Sequence, residues 1–456
     1  MENTRKENKM GVMPIPKLLI TMSLPMIISM LVQALYNVVD SMFVARLNEN
    51  ALTAVSLAFP VQNLMIAVAA GTGVGINALL SKNLGEHKYD DANKVARNGI
   101  LLAVLSSLIF AIAGLLGSRF FFAVQTDNKQ IINYGTDYMM IITIASIGIF
   151  MQITFERLMQ STGKTIFNMI TQSIGAIINI ILDPILIFGV EALHIPKMEV
   201  AGAALATVIG QIVAALLGVI LNQAFNKEIH VTFRGFKPCF KTIGAIYKVG
   251  VPSIIMQSIG SLTTFGMNNI LLMFEETAAT VFGVYFKLQS FIFMPVFGLT
   301  NGMIPIVAFN YGARNKKRIY QTIKLSACIA VGIMFIGLVI FQLAPGPLLK
   351  LFDASDNMLK IGIPALRLIS ISFVFAGFCI VISSVFQALG NGVYSLIMSA
   401  ARQIVVILPV AFAFAKIFGK VDMVWFSYPI AEIVSVIICV VLLKRILKLK
   451  VKNLDA

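Results

Sequence analysis

The chain has 456 residues, of which 58% are hydrophobic and only 12% charged, with a formal net charge of +15 and a mean hydropathy of +0.87. Soluble domains carry about 45–50% apolar and about 25% charged residues, so the composition excludes an ordinary soluble protein and points to a chain threaded through lipid. The positive charge would suit a nucleic-acid partner, but the placement of the cations along the chain excludes that reading too.

A helix needs about 20 mostly apolar residues to cross the hydrocarbon layer. Twelve stretches qualify: 17–44, 52–80, 96–122, 132–155, 166–189, 200–224, 243–271, 279–308, 320–343, 362–387, 394–417 and 424–446. The fold class expected is an all-α membrane protein, with twelve transmembrane helices in two pseudo-symmetric six-helix lobes. The divisions predicted are an N-terminal segment 1–16, an N-lobe 17–224, a linker 225–242, a C-lobe 243–446 and a tail 447–456. The N-terminus is basic at Arg5, Lys6, Lys9 and Lys17. The apolar run after it is longer than a signal-peptide core and has no small-x-small cleavage site, so it reads as a retained first crossing.

In chain order, the first stretch carries Pro25, Tyr36, Asn37 and Asp40, and the second carries Gln62 and the glycines Gly71, Gly73 and Gly75. The fourth runs from Tyr138 near its start to Glu156 and Arg157 near its end. The fifth holds Asn179, Asp183 and Pro184, and the sixth Thr207. The linker contains Gly235 and Pro238. Beyond it come Pro252 on the seventh stretch, Lys287, Gln289, Pro295 and Pro305 on the eighth, and Arg367 near the start of the tenth. The eleventh carries Arg402 and Pro409, and the twelfth Glu432. Proline removes a backbone hydrogen bond and bends a helix. Pro25 and Pro184 are the candidate hinges, because they share helices with the two aspartates.

With both termini in the cytoplasm, about 26 of the 36 basic residues fall in cytoplasmic segments. The clusters are Lys82, Lys88, Lys94 and Arg97, then Lys227, Arg234, Lys237, Lys241 and Lys248, then Arg314, Lys316, Lys317, Arg318 and Lys324, then the tail lysines. The net charge is therefore a topology signal. A shift of about 227 residues superimposes Pro25 on Pro252, Gln62 on Gln289, Gly71 on Gly298, Gly75 on Gly302, Gly85 on Gly312, Gln160 on Gln387 and Gly163 on Gly390, which marks an internal repeat. Each half has an even number of crossings, so the halves share orientation, as in transporters built from parallel repeats.

Ionisable residues at the bilayer centre cost about 2.5–3.5 kcal/mol each and mark functional sites. Asp40 and Asp183 fall at similar depth in the outer half of the membrane, counting about 1.5 Å per residue. Tyr36 and Asn37 lie a turn before Asp40 and Asn179 a turn before Asp183, where they share a helix face. Tyr138 and Thr207 reach the same level. Two adjacent carboxyls in a water-poor interior can take up and release a proton. Alternatively, with the Asn and Thr oxygens, Asp40, Asp183, Asn179 and Thr207 can offer hard ligands to sodium. Glu156, Lys287 and the repeat-related Gln62 and Gln289 are the candidates for the substrate path. Arg402 and Glu432 are placed so that they can pair. Phe and Met are abundant, at 33 and 23 residues, and could supply an adaptable wall for aromatic cations. Cys239, Cys328, Cys379 and Cys439 have no metal-ligand spacing. All three histidines, His87, His194 and His230, lie in loops without a His-Glu-x-x-His pair. An enzyme is therefore not expected, nor a cofactor.

The chain resembles the multidrug and toxic compound extrusion (MATE) family, in its MepA-like bacterial branch. The resemblance spans nearly the whole sequence. It rests on Leu24-Pro25 through Asp40-Ser41-Met42-Phe43-Val44, on Gly71, Gly73 and Gly75, and on Gln160-Ser161-Thr162-Gly163. It rests also on Asn179 with Asp183-Pro184, and on Gly202-Ala203-Ala204-Leu205-Ala206-Thr207. It implies export of cationic, often aromatic compounds in exchange for protons or sodium, with a cation site at Asp40, Asn179, Asp183 and Thr207. The NorM-type branch carries acidic residues in helices 7 and 10. None stands around Ser258–Ser261 or between Ile363 and Gln387 here, so coupling is expected in the first half unless Glu432 substitutes.

The function expected is a secondary multidrug antiporter working by alternating access. The chain is expected to act as a monomer in the bacterial inner membrane, with both termini cytoplasmic. Its partners would be cationic drugs and membrane lipid, not nucleic acid. A lipid-linked saccharide flippase would want more cationic charge than Lys287, and a membrane enzyme is the reading from a different class.

Overall fold

The computed structural model describes residues 7–190, 194–452 and 454. Arg5, Lys6 and the last residues of the tail lie outside the described residues. The first half runs α1 (Lys9–Val12), α2 (Ile15–Ala45), α3 (Glu49–Gly85), α4 (Tyr89–Ala123), α5 (Lys129–Ile144), α6 (Ile147–Ser161), α7 (Thr165–Phe188) and α8 (Glu199–Phe225). The second runs α9 (Phe240–Leu272), α10 (Glu276–Gly312), α11 (Lys316–Leu343), α12 (Pro345–Lys350), α13 (Asp356–Ser370), α14 (Phe373–Ala388) and α15 (Gly392–Ala400). A π-helical stretch, Ala401–Ile407, then leads into α16 (Leu408–Phe418), α17 (Val421–Trp425) and α18 (Ser427–Ile446). The described residues contain no β-strand, only an isolated bridge between Val190 and Ile195.

Among the described residues, eight helices are long and apolar enough to cross a membrane, and ten crossings result when each of two bent pairs counts as one. With α9 and α18, helices occupy all twelve predicted stretches. Polarity is arranged as lipid demands: Leu116, Phe120 and Ile417 are exposed, while Asp183, Asn98 and Gln160 are buried. In hydrocarbon every backbone group must be satisfied within its own segment, which is why helices serve.

The bends lie away from the two candidate hinge prolines. Pro25 and Pro184 lie inside continuous helices. The bends of 43° and 49° separate α5 from α6 and α13 from α14, at Ala145–Ser146 and Ile371–Ser372. There the Ser146 hydroxyl donates to the Ser107 carbonyl at 3.2 Å, and the Ser372 hydroxyl donates to the Ile369 carbonyl at 2.6 Å. A serine side chain is thus hydrogen-bonded at each break.

The repeat is present in the backbone. His87 and Arg314 both adopt left-handed conformations, with φ of 58° and 57°, as do Gly163 and Gly390 with 87° and 71°. The turns they sit in are closed alike, by Lys88 N–H to Asn83 O and Asn315 N–H to Asn310 O, and by Lys164 N–H to Met159 O and Asn391 N–H to Phe386 O.

The chain forms two compact units, one of Ile28–Gly250 and one of Met1–Ile27 with Val251–Ala456. These differ from the predicted lobes: the units divide inside α2 and α9, close to Pro25 and Pro252, and the 225–242 linker stays with the first half. The repeated glycines explain the division. In one unit, a Cβ built on Gly298 would lie 2.6 Å from Ile27 Cα, and one on Gly302 would lie 2.7 Å from Ser23 Cα. The start of α2 therefore docks backbone to backbone on α10, and Ser23 Oγ donates to the Leu299 carbonyl at 3.2 Å. In the other unit, Gly75 meets the backbone of Ile246, and a Cβ on Gly250 would be 3.3 Å from the Gly71 carbonyl. Arg318 fixes the preceding segment by donating to the Met10 and Met13 carbonyls at 2.9 and 2.8 Å.

Overpacking such a contact costs about 1–3 kcal/mol. Gly302→Val is expected to lower the thermal midpoint of the purified protein by several degrees. Gly332→Ala, where nothing lies within 4 Å, is expected to leave it unchanged; a thermal aggregation assay in detergent compares the two.

Candidate functional site

The site is built on the contact between α7 and α8. These helices run antiparallel and meet through glycine. A Cβ on Gly210 would lie 2.6 Å from the Gly175 carbonyl, and one on Gly202 would lie 2.5 Å from the Leu186 carbonyl. Small residues at such positions let helix backbones approach. One turn from this contact, Asn179 Nδ2 donates to Thr207 Oγ1 at 3.3 Å and to Asp183 Oδ1 at 3.4 Å. A buried apolar cluster including Val44, Ala203, Ala204, Ile187 and Tyr138 packs around this end of the unit.

From α2, the Asp40 carboxyl lies beside that of Asp183. Tyr36 lies beside Thr207, and Tyr138 on α5 lies beside Gln62 on α3. Asp183, Asn179, Thr207 and Tyr138 are buried. Three acceptor oxygens, Asp40 Oδ1, Asp183 Oδ2 and Asn179 Oδ1, have no protein donor. No basic side chain pairs with either aspartate among the described residues. Buried acceptors are ordinarily satisfied, so three orphaned oxygens in one cluster make a donor set suited to a proton or a hard monovalent cation. Among the described residues no group of three or more His, Cys, Asp or Glu is arranged for a transition metal.

The structure thus joins Asp40, Asp183, Asn179, Thr207, Tyr36 and Tyr138, and adds Gln62, which the sequence assigned to the substrate path. Asn37 is exposed and takes part only through its carbonyl, which accepts from Ser41 Oγ at 2.9 Å. Glu156 stands apart, accepting from Gln152 Nε2 at 3.0 Å and Thr171 Oγ1 at 3.4 Å. Its neighbour Arg157 lies across Gly73, where a Cβ would come within 2.7 Å of Arg157 Cγ. Lys287 is exposed, with its ammonium 5.8 Å from the centre of the Phe352 ring. It and Gln289 belong to the other unit and do not join the cluster. A polar bond overlooked in the sequence links the two aspartate helices: Gln172 Nε2 donates to Gln33 Oε1 at 3.1 Å. Gln33 lies seven positions before Asp40 and Gln172 eleven before Asp183, near two and three whole helical turns, so each shares a helix face with its aspartate, and that was the signal.

Comparisons with known proteins identify the family. The MatE family pattern matches residues 25–185 and again 252–413, the two copies beginning at the repeat-related prolines. The chain belongs to the MatE family. It is a multi-pass membrane transporter and not an enzyme. Among MatE relatives, the multidrug export protein MepA of Staphylococcus haemolyticus (strain JCSC1435) is 28% identical over 420 residues, covering 92% of this chain and 91% of that one. MepA of Staphylococcus aureus (strain MRSA252) is 27% identical over 421 residues with the same coverage. An outward-facing multidrug resistance MATE transporter of the MOP superfamily superposes with a TM-score of 0.91, at 25% identity over all of both chains. A MOP superfamily transporter from Pyrococcus furiosus Vc1 (DSM3638), described by the reverse polarity of its binding pocket, gives 0.90 at 26% identity over all of both chains. The MATE fold, twelve transmembrane helices in two lobes, is therefore the fold of this chain.

Because the Gly175–Gly210 contact sets the Asn179–Thr207 bond, Gly210→Val is expected to disable transport as fully as Asn179→Ala, at least tenfold in initial efflux rate. Membrane insertion should persist, as checked by immunoblot of the membrane fraction alongside dye efflux.

Proposed function

We propose that this transporter is a secondary multidrug antiporter, exporting cationic, amphipathic or aromatic compounds in exchange for protons or sodium by alternating access. The observation that carries the reading is the Asp40–Asp183 pair: two carboxyls side by side in the interior, with oxygens that have no protein donor and no basic partner. Two carboxyls this close in a water-poor interior are accommodated by one proton between them. When that proton leaves, two anions face each other where the dielectric is low, and their repulsion is far stronger than in water. They must then separate or take a cation. Asn179, held by Thr207, keeps Asp183 oriented, so the mobile partner is Asp40 on α2. The break between compact units close after Pro25 is where α2 would yield, since proline removes a backbone bond there.

The names of the relatives support the cargo class, both MepA proteins being multidrug exporters. Glu156, half-buried at the far end of α6 from the carboxyl pair, is the proposed secondary contact for a cationic substrate. The clustered lysines and arginines support cytoplasmic termini in a bacterial inner membrane. A membrane potential of ~150 mV is worth roughly 3.4 kcal/mol per charge, enough for about a 300-fold gradient of exported compound per net charge moved.

Ethidium efflux from inverted membrane vesicles, driven by an imposed proton or sodium gradient, tests the proposal and identifies the ion. Asp40→Asn and Asp183→Asn are each expected to reduce gradient-driven efflux more than tenfold at unchanged expression. Full activity in the double variant would sink the reading.

A further inference from the structure

Asp183 and Glu432 are the two buried carboxylates among the described residues, and only Glu432 has a cation of its own. Arg402 Nη1 lies 3.0 Å from Glu432 Oε1, with 7% of the glutamate side chain exposed. The repeat shows how this pair was fitted in. A shift of about 227 residues places Arg402 on Gly175 and Glu432 on Leu205. Gly175 is the point at which α7 touches α8, with no room for a side chain: a Cβ there would be 3.0 Å from the Gly210 carbonyl. In the second half the same position bears a guanidinium, and the backbone departs from α-helix into the π-helical stretch Ala401–Ile407. π-Helical turns inside α-helices are rare and concentrate at functional sites.

The pair is also incomplete. Arginine can bind a carboxylate through two parallel hydrogen bonds, but here Arg402 Nε and Glu432 Oε2 are both buried without a partner. Glu432 therefore keeps Oε2 without a hydrogen-bond partner, beside the Cys379 thiol, in a carboxylate that a mobile cation could also satisfy. The titratable groups around it are Cys379 on α14, Tyr285 on α10, and Tyr428 and Cys439 on α18; Arg402 is the one fixed charge among them. The contrast with the first half is chemical. There, two carboxyls share a site with only neutral side chains; here, one carboxyl is held by a cation that cannot leave the chain.

We propose that Arg402 is a tethered counter-cation that permanently fills the cation position at Glu432, so that the second half exchanges no coupling ion, and that without it Glu432 becomes a second exchangeable cation site. The proposal rests on the antiporter reading and assigns the ion stoichiometry to the first half.

The test reconstitutes the full chain in liposomes and measures the number of cations exchanged per ethidium, from the ion gradient at which net flux reverses. The neutral double variant Arg402→Gln/Glu432→Gln is expected to match the wild type. Arg402→Gln alone is expected to gain about one cation per ethidium, a gain a purely structural pair would not produce. Loss of a cation in the double variant, or no gain in an inserted Arg402→Gln protein, overturns the proposal. Labelling of the wild type with dicyclohexylcarbodiimide, which attacks protonated carboxyls, decides independently of any variant's folding. Asp40 or Asp183 is expected to be modified and Glu432 spared, and modification of Glu432 overturns the proposal. If wild-type flux follows no ion gradient at all, the antiporter reading itself has failed.

Discussion

A backbone amide or carbonyl buried in hydrocarbon has no solvent to fall back on, and that constraint governs every level of this protein. It makes the crossings helical and confines irregular backbone to places where a side chain can stand in for a missing bond. A serine stands at each of the two broken crossings, Ser146 reaching the Ser107 carbonyl on α4 and Ser372 sharing the Ile369 carbonyl with its own amide. The same constraint gives glycine its value. With the backbone already satisfied along each helix, two helices gain by coming close enough for main-chain atoms to touch. The Gly175–Gly210 contact is where this closeness becomes chemistry, because it aligns Asn179 with Thr207.

Much of this was legible in the residues. Long apolar stretches located the crossings, because lipid leaves few alternatives to a helix of about 20 apolar residues. The Asp40 and Asp183 cluster was legible because helical rise converts sequence distance into depth. Facing is harder to read than depth. Asn37 sits beside Tyr36 in sequence yet projects to an exposed position, whereas Gln62 on another helix reaches Tyr138. Single-sequence patterns constrain the level of a residue in the membrane far better than its rotation about the helix axis.

Proline marks where a helix is weakened, not where it is bent at rest. A proline costs a bond wherever it stands, but a neighbouring helix can absorb that cost, and α2 and α7 continue through Pro25 and Pro184. The bent crossings, by contrast, carry no proline at the break. The repeat was more informative than any single motif. It was visible in spaced glycines and prolines, and the structure supplies the reason for those spacings: each glycine pair on α3 or α10 receives the start of α9 or α2. Side-chain chemistry diverged while these steric requirements held, and the turn at His87 and the turn at Arg314 share a backbone but oppose each other in charge. One is followed by Asp90 and Asp91, the other by Lys317 and Arg318.

The division of the compact units inside α2 and α9 bears on biosynthesis. Ribosomes release a chain from its N-terminus, so the segment ending at Ile27 emerges first, yet its packing partners around Leu299 and Gly302 are made some 276 residues later. Until then the start of α2 can be inserted but not docked. The unit of Ile28–Gly250, by contrast, can close as soon as Gly250 has left the ribosome. Assembly is therefore ordered by the chain itself: the half that holds the carboxyl pair can close first, and the segment ending at Ile27, although made before it, docks only after Leu299 and Gly302 have been made.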